Sequence, residues 1–218
     1  MPFFSVAPKA GGRRPLLRSV DRLALLLGDL SELSRIESGA LSLAPERLDL
    51  RAFLETLMKD LQPRGVARGV QLALAVDAPA GTTILVDALR LHQVLENLVS
   101  NAVKFSPPEG EVRLSVRITD QGQTWEVRDQ GPGIPEAEQG RIFERFYRAQ
   151  AAKAKPGTGL GLAIVKHLCR LMGGEVTVDS KPGEGATFRV MLPPQSELTE
   201  QDTTSPKWTD GHAGRNSL

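Results

Sequence analysis

Three groups of residues in this chain have types and spacings suited to holding a phosphorylated nucleotide. The first is the run Gly157-Thr158-Gly159-Leu160-Gly161-Leu162-Ala163-Ile164-Val165-Lys166, which opens onto the helically spaced Leu160, Ile164, Leu168 and Leu171. Glycine lets the main chain approach a ligand closely and take positive φ. The free N–H groups and dipole at a helix N-terminus favour phosphate. Taken alone, such a run is as often a plain loop. It is not a P-loop, because Lys166 follows Val165, and it is not the dinucleotide fingerprint, which needs glycine where Leu162 stands. The second group is Asn97, Asn101 and Lys104, at i, i+4 and i+7 of an expected helix over Asp87 to Phe105. Asparagine is disfavoured inside helices, so a stacked pair with a lysine beyond reads as a polar stripe. Amide oxygens can ligate Mg²⁺ and lysine can meet phosphate as a point charge; a solvated face is the alternative. The third group is Asp129-Gln130-Gly131-Pro132-Gly133 after a strand. Its carboxylate could accept from the exocyclic amine of adenine, although a plain turn is the simpler reading.

The elements that must position these groups follow from patterning. Leu16, Val20, Leu23, Leu27, Leu30 and Ser34 step by fours and threes, predicting an amphipathic helix over 16–38 that needs a partner to cover its seam. Leu41 to Leu48 reads as an edge strand carrying Pro45, and Asp49 can cap a helix through Leu61. Strands are expected at Val70–Val76 and Thr82–Val86, and Asp87 can cap the long helix that presents Asn97 and Asn101. Val112–Ile118 and Trp125–Val127 alternate across a turn at Gly122 and predict a hairpin. Residues 130–157 form a long connection holding one short helix near Arg141 to Tyr147. The glycine-opened helix runs to Met172, and strands follow at Glu175–Ser180 and Ala186–Leu192. The order predicts an α+β fold, a two-layer sandwich of a mixed sheet with about three helices on one face, preceded by one amphipathic helix.

Composition narrows the function classes. The chain has 218 residues, is 40% hydrophobic and 24% charged, and carries a net charge of +1, an ordinary globular balance that makes no electrostatic case for nucleic acid. Cys169 is the one cysteine and sits in an apolar helix, so no intrachain disulfide forms and an inert thiol is expected. No apolar run reaches the roughly 18 residues of a membrane span, and no leader pattern is present, so the expected location is cytoplasmic. His92, His167 and His212 lack metal-ligand spacing.

Taken together and in this order, the motifs resemble those of the catalytic and ATP-binding domain of bacterial sensor histidine kinases, within the gyrase–chaperone–kinase ATPase superfamily. The N box is legible at His92 to Phe105, the G1 box at Asp129 to Gly133, and the F box at Ile142-Phe143-Glu144-Arg145-Phe146-Tyr147-Arg148. The G2 box is the 157–161 run, and a last glycine box is Gly183-Glu184-Gly185-Ala186-Thr187-Phe188. Leu33-Ser34-Arg35-Ile36-Glu37-Ser38-Gly39 is similar to the end of the family's second dimerisation helix. The resemblance implies a Bergerat ATP-binding fold and the cofactors ATP and Mg²⁺. It implies that Asp129 meets adenine N6 with Thr187 close by, and that Gly131 and Gly133 shape the adenine pocket. Asn101 would ligate Mg²⁺, with Asn97 and Lys104 near the phosphates. Thr158, Gly159, Leu160, Gly161 and Leu162 would border the triphosphate. Residues 136–157 would form a lid, with Tyr147 and Arg148 facing the nucleotide and Phe143 and Phe146 pinning it to the body.

Two features bear on mechanism. The superfamily's hydrolytic members carry a glutamate base where this chain has Asn97, which implies a site that holds ATP for transfer; Glu96, about 100° round the helix, is expected to point elsewhere. The family's acceptor motif, a histidine followed by an acidic residue, is absent, so the expected recipient lies outside this chain. The expected organisation is a disordered 1–15, a partial dimerisation hairpin at 16–39, a catalytic domain at 40–194 and a disordered tail at 195–218. The expected partners are an acceptor-histidine hairpin, a response regulator and a second copy through helix 16–38, with neither nucleic acid nor membrane. A protein-histidine kinase core is the favoured reading, and this chain alone is not expected to phosphorylate itself. A non-catalytic ATP-binding regulator and an anti-sigma-type serine kinase are the alternatives.

Overall fold

The computed structural model describes residues 23, 26–32, 34–35, 38–153, 155 and 157–194. The expectations for 1–15, for Leu16 and Val20 and for the tail from 195 lie outside them. Residues 26–32 and 34–35 are helical, and Leu23, Leu27 and Leu30 are exposed, so the described part of the leucine seam is uncovered. No described helix is long and apolar enough to cross a membrane.

The chain then builds β1 (Glu46–Asp49), α1 (Leu50–Val66), β2 (Gln71–Asp77), β3 (Thr83–Val86), α2 (Ala88–Phe105), β4 (Glu111–Thr119) and β5 (Gly122–Arg128). A short α3 (Glu136–Gln139) and a 3₁₀ turn (Gln150–Ala152) punctuate the long connection; α4 (Gly161–Leu171), β6 (Glu175–Ser180) and β7 (Ala186–Leu192) complete it. Five strands form one mixed sheet in the order β2-β4-β5-β7-β6, with β2 and β4 parallel and the other pairs antiparallel.

Both expected helix caps are made. Asp49 Oδ1 accepts from the Ala52 amide at 2.8 Å and Asp87 Oδ1 from the Arg90 amide at 3.0 Å, each satisfying a donor that the first turn leaves free. Asp87 also accepts from Ala44 N through Oδ2 at 2.9 Å, which ties the chain entering β1 to the head of α2. Helices α1, α2 and α4 bury Leu54, Leu57 and Leu61, then Leu91, Leu95 and Leu98, then Ile164, Val165 and Leu168. These faces meet the alternating inward residues of β4, β5 and β7 in a single core. Trp125 is fully buried, with its ring edge-on to Phe53 at 6.0 Å between centroids. Trp125→Ala is expected to cost roughly 3–5 kcal/mol, read as a lower urea midpoint at unchanged slope. Cys169 is buried and its thiol is pushed up to about 12 by that burial, in keeping with an inert packing residue.

Three boundaries depart from expectation. The first strand begins at Glu46, and β1 pairs with β3 in a separate two-stranded sheet. Pro45 has no N–H to give a ladder, so pairing starts just beyond it. Helix α1 continues five residues past Leu61 and absorbs Pro63 near its end. The helix of the long connection is Glu136–Gln139, whereas 141–146 form turns and a bend.

Candidate nucleotide-binding site

A cavity of about 640 Å³ opens between α2, the loop after β5, the 142–152 segment and the head of α4, within the size range of small-ligand sites. Its inner end is Asp129, immediately past β5 and 5% exposed. Asp129 Oδ1 accepts from the amides of Gly131 at 2.7 Å and Ala186 at 3.2 Å. Oδ2 receives no hydrogen bond from a described residue and is available to a ligand donor. Burial raises the Asp129 pKa, and the two N–H bonds oppose that rise. Two glycines make this corner possible. Gly133 has φ +71 and would place a Cβ 2.0 Å from Lys181 O; Gly185 has φ +81 and would place one 2.1 Å from Asp129 O. A side chain at either would push the G1 and last glycine turns apart.

Helix α2 supplies one wall with Asn97, Asn101 and Lys104. Asn97 donates through Nδ2 to Gln93 O at 3.0 Å, which leaves its Oδ1 toward α4. Gly161 lies so close that a Cβ there would be 2.8 Å from that oxygen. The Asn101 side chain makes no hydrogen bond to a described residue. Lys104 Nζ sits 4.7 Å from the Phe105 ring centroid. Burial first, then the charges of Arg148, Lys155 and Arg68, lower its pKa to about 8.

The long connection and the glycine run bring Tyr147, Arg148, Thr158, Gly159, Gly161 and Leu162 to the same cavity, which Gly133 also lines. Three expected residues are not on its wall. Gly131 acts through its amide on Asp129, and Leu160 is fully buried in the core. Thr187 follows the alternation of β7 onto the other sheet face, and its neighbours Ala186 and Phe188 line the cavity instead. Arg148 does not reach into open space. Its Nη2 donates to Ala152 O at 2.5 Å and also to Lys155 O, tying it to its own stretch of chain. Phe143 packs edge-on against Phe188 at 6.4 Å between centroids. Phe146 is 60% exposed and is held by its main chain, with its amide donating to Gly159 O at 2.9 Å.

Several wall residues have no counterpart among the expected ones. Glu96 faces the cavity beside Asn97 and does not point elsewhere, because Arg64 at the end of α1 draws it round. Ser100 joins the same wall. Asp29, from the N-terminal helical segment, reaches the cavity and accepts from Thr158 Oγ1 at 2.8 Å. Glu32, one helical turn on, accepts from Arg90 Nη1 at 2.9 Å. The sequence holds a signal for this pair: two acids at i, i+3, set on the helix away from the seam of Leu23, Leu27 and Leu30. It holds none for Arg64.

An α+β sandwich in which a carboxylate at a strand end, an asparagine-lined helix and a glycine-opened helix converge on one cavity defines a nucleotide-binding domain. The chain belongs to the histidine kinase-, DNA gyrase B-, and HSP90-like ATPase family, whose model matches residues 86–196. It is 40% identical over 182 residues to the virulence sensor protein BvgS of Bordetella bronchiseptica, a match covering 80% of this chain and 14% of that protein. It is 38% identical over 202 residues to the signal transduction histidine-protein kinase/phosphatase MprB of a Mycobacterium species, covering 90% of this chain and 38% of that one. Among solved structures, full-length ShkA in complex with AMPPNP superposes with a TM-score of 0.75 at 34% identity, over 88% of this chain and 40% of that one. The mycobacterial sensor histidine kinase MprB superposes with a TM-score of 0.61 at 31% identity, over 69% of this chain and 99% of that one. The chain thus spans well under half of the curated relatives it matches.

Proposed function

We propose that this chain is the Mg-ATP-binding core of a two-component histidine kinase, passing the γ-phosphate to a histidine outside the chain. The observation that carries the reading is the convergence of Asp129 with Asn97, Asn101, Lys104 and the Gly157–Gly161 loop around one cavity. Asp129 Oδ2 would accept from the exocyclic amine, Lys104 would meet the phosphates, and the amides of the glycine loop would hold the chain of phosphates at the head of α4. No group of three or more His, Cys, Asp or Glu among the described residues could hold a metal unaided. An amide oxygen completed by phosphate and water oxygens suits Mg²⁺, and Asn101 has the position and the uncommitted side chain to supply it. When bound, the ion would neutralise the β- and γ-oxygens. With Asn97 in place of a carboxylate, this helix position has no group to deprotonate water, which favours transfer over hydrolysis.

We also propose that residues 16–39 are a partial dimerisation hairpin and 136–157 a lid. The exposed Leu23, Leu27 and Leu30 support a homodimer through that helix, and the family relatives support a response regulator as partner. A domain using both ATP and a response regulator works in the cytoplasm. The test is transfer of label from γ-labelled ATP to a separately supplied hairpin carrying an acceptor histidine. Acid-labile, base-stable label on that hairpin is the expected result. Nucleotide binding without transfer would replace the kinase reading by that of an ATP-binding regulator.

Lys104 gives a pH signature. Its folded pKa of about 8 lies below the ordinary 10.5, so between these values the unfolded chain binds more protons and the ligand-free fold gains stability as pH rises. Triphosphate would favour the charged lysine. Nucleotide binding near pH 9 (about the middle of that window) is therefore expected to take up a proton. Calorimetry in buffers of different ionisation enthalpy reads this directly, and Lys104→Arg is expected to abolish it because arginine stays charged.

A further inference from the structure

Arg64 lies outside every motif, yet its guanidinium reaches the wall on which the phosphates would rest. It stands in the last turn of α1, directly after Pro63, and lines the cavity together with Glu96, Asn97, Ser100 and Asn101. One guanidinium nitrogen donates to Glu96 Oε1 and another to Ser100 Oγ. These two acceptors are i and i+4 on α2, and they bracket Asn97. The other Glu96 oxygen lies 3.9 Å from His92 Nδ1, and His92 Nε2 lies 3.3 Å from Asp60 Oδ2. Glu96 is thus held on one side by a permanent cation and faces His92 on the other.

The need for that cation follows from the charge of the ligand. An ionised carboxylate on the wall beside Asn97 would repel a triphosphate placed there. Exposed ion pairs contribute little to stability, so the Arg64–Glu96 pair is a weak device for holding two helices together. Neutralising a carboxylate next to an anion site is a stronger use of the same contact.

We infer that Arg64 is a positioning residue for the nucleotide: it neutralises Glu96 and fixes it with Ser100, so that the α2 wall accepts phosphate. This rests on the proposed ATP site. The role is indirect, through Glu96, and a double-mutant cycle exposes it. Mg-ATP affinity of the full chain is measured by calorimetry, with thermal melting of each variant. Arg64→Ala is expected to weaken binding about tenfold, and Arg64→Lys, which keeps the charge, to stay within about threefold of wild type. Arg64→Ala/Glu96→Gln is expected to recover binding to within about twofold of wild type, because the repelling charge is gone. A purely structural Arg64 would lower the melting temperature and show no such recovery. Binding by Arg64→Ala equal to wild type overturns the inference, as does a loss that Glu96→Gln fails to restore, which would mark a direct phosphate contact or a packing role. Failure of the wild-type chain itself to bind Mg-ATP overturns the underlying ATP reading and the inference with it.

Discussion

Asp129→Asn is expected to weaken Mg-ATP binding about 100-fold while leaving the fold at least as stable as the wild type. Hydrogen bonds to charged groups are worth about 1.5–3 kcal/mol, and the loss here is compounded. The oxygen of the substituted amide would still satisfy the Gly131 and Ala186 amides, so its NH₂ would replace Oδ2 and turn a donor toward the adenine amine. Stability moves the other way. Burial raises the Asp129 pKa, so between the ordinary carboxylate value and the raised one the folded state binds more protons than the unfolded. Stability therefore falls as pH rises through that window, and above it the ionised group carries its full desolvation cost. Asparagine removes that cost. Calorimetry for binding and thermal melting for stability should separate the two effects; loss of both together would mean that Asp129 serves the fold rather than the ligand. Binding is also expected to decline on acidification through the raised Asp129 value, since a proton on Oδ2 makes it a donor facing the amine and removes the charge that strengthens the bond.

Gly159→Ala is the second large effect, and it reaches the ligand through the backbone. Gly159 has φ +76, and a Cβ there would stand 2.8, 2.9 and 3.0 Å from the C, Cα and O atoms of Phe146. Those are main-chain atoms of a residue itself at φ +61, held by the bond from its amide to Gly159 O. Neither side can give by a rotamer change. A non-glycine residue in that region costs about 1–3 kcal/mol before any clash is counted. For a domain of this size a total of about 2–3 kcal/mol corresponds to a melting point roughly 5–10 °C lower. Nucleotide affinity is expected to fall more than tenfold, because parting Gly159 from the Phe146 turn would shift the amides of the glycine loop. Unchanged melting and affinity would mean that this junction is slack and that the lid is anchored elsewhere, for instance by Phe143 on Phe188.

The parts of the site legible in the sequence share a property: each is encoded within a few consecutive residues or one helical period. Asn97, Asn101 and Lys104 share a helix face because 3.6 residues make a turn, whatever packs around them. Asp129 with Gly131 and Gly133, and the glycines at 157–161, declare a tight turn and a close backbone approach locally. The caps at Asp49 and Asp87 are local for the same reason. Phase errors arise where one residue decides a side. The motif resemblance sets Thr187 beside Asp129, but the register of β7 against β5 pairs Thr187 with Arg128 and turns Ala186 inward. The angle on an ideal helix sets Glu96 off the wall, yet its long side chain follows the charge offered by Arg64 from another element.

The sequence by itself determined the α+β class, the three packing helices, the two capped helix starts and the chemical types that face the ligand, because periodicity and turn chemistry are written into neighbouring residues. Only the tertiary structure decided which of those types share the cavity, that Arg148 is turned back onto the carbonyls of Ala152 and Lys155, and that Asp29, Arg64 and Glu96 complete the rim. Those outcomes depend on contacts such as the one between Asp29 and Thr158, which stand 129 positions apart in the chain. No local pattern carries the distance between such residues; it is set by how the helices stack on the sheet.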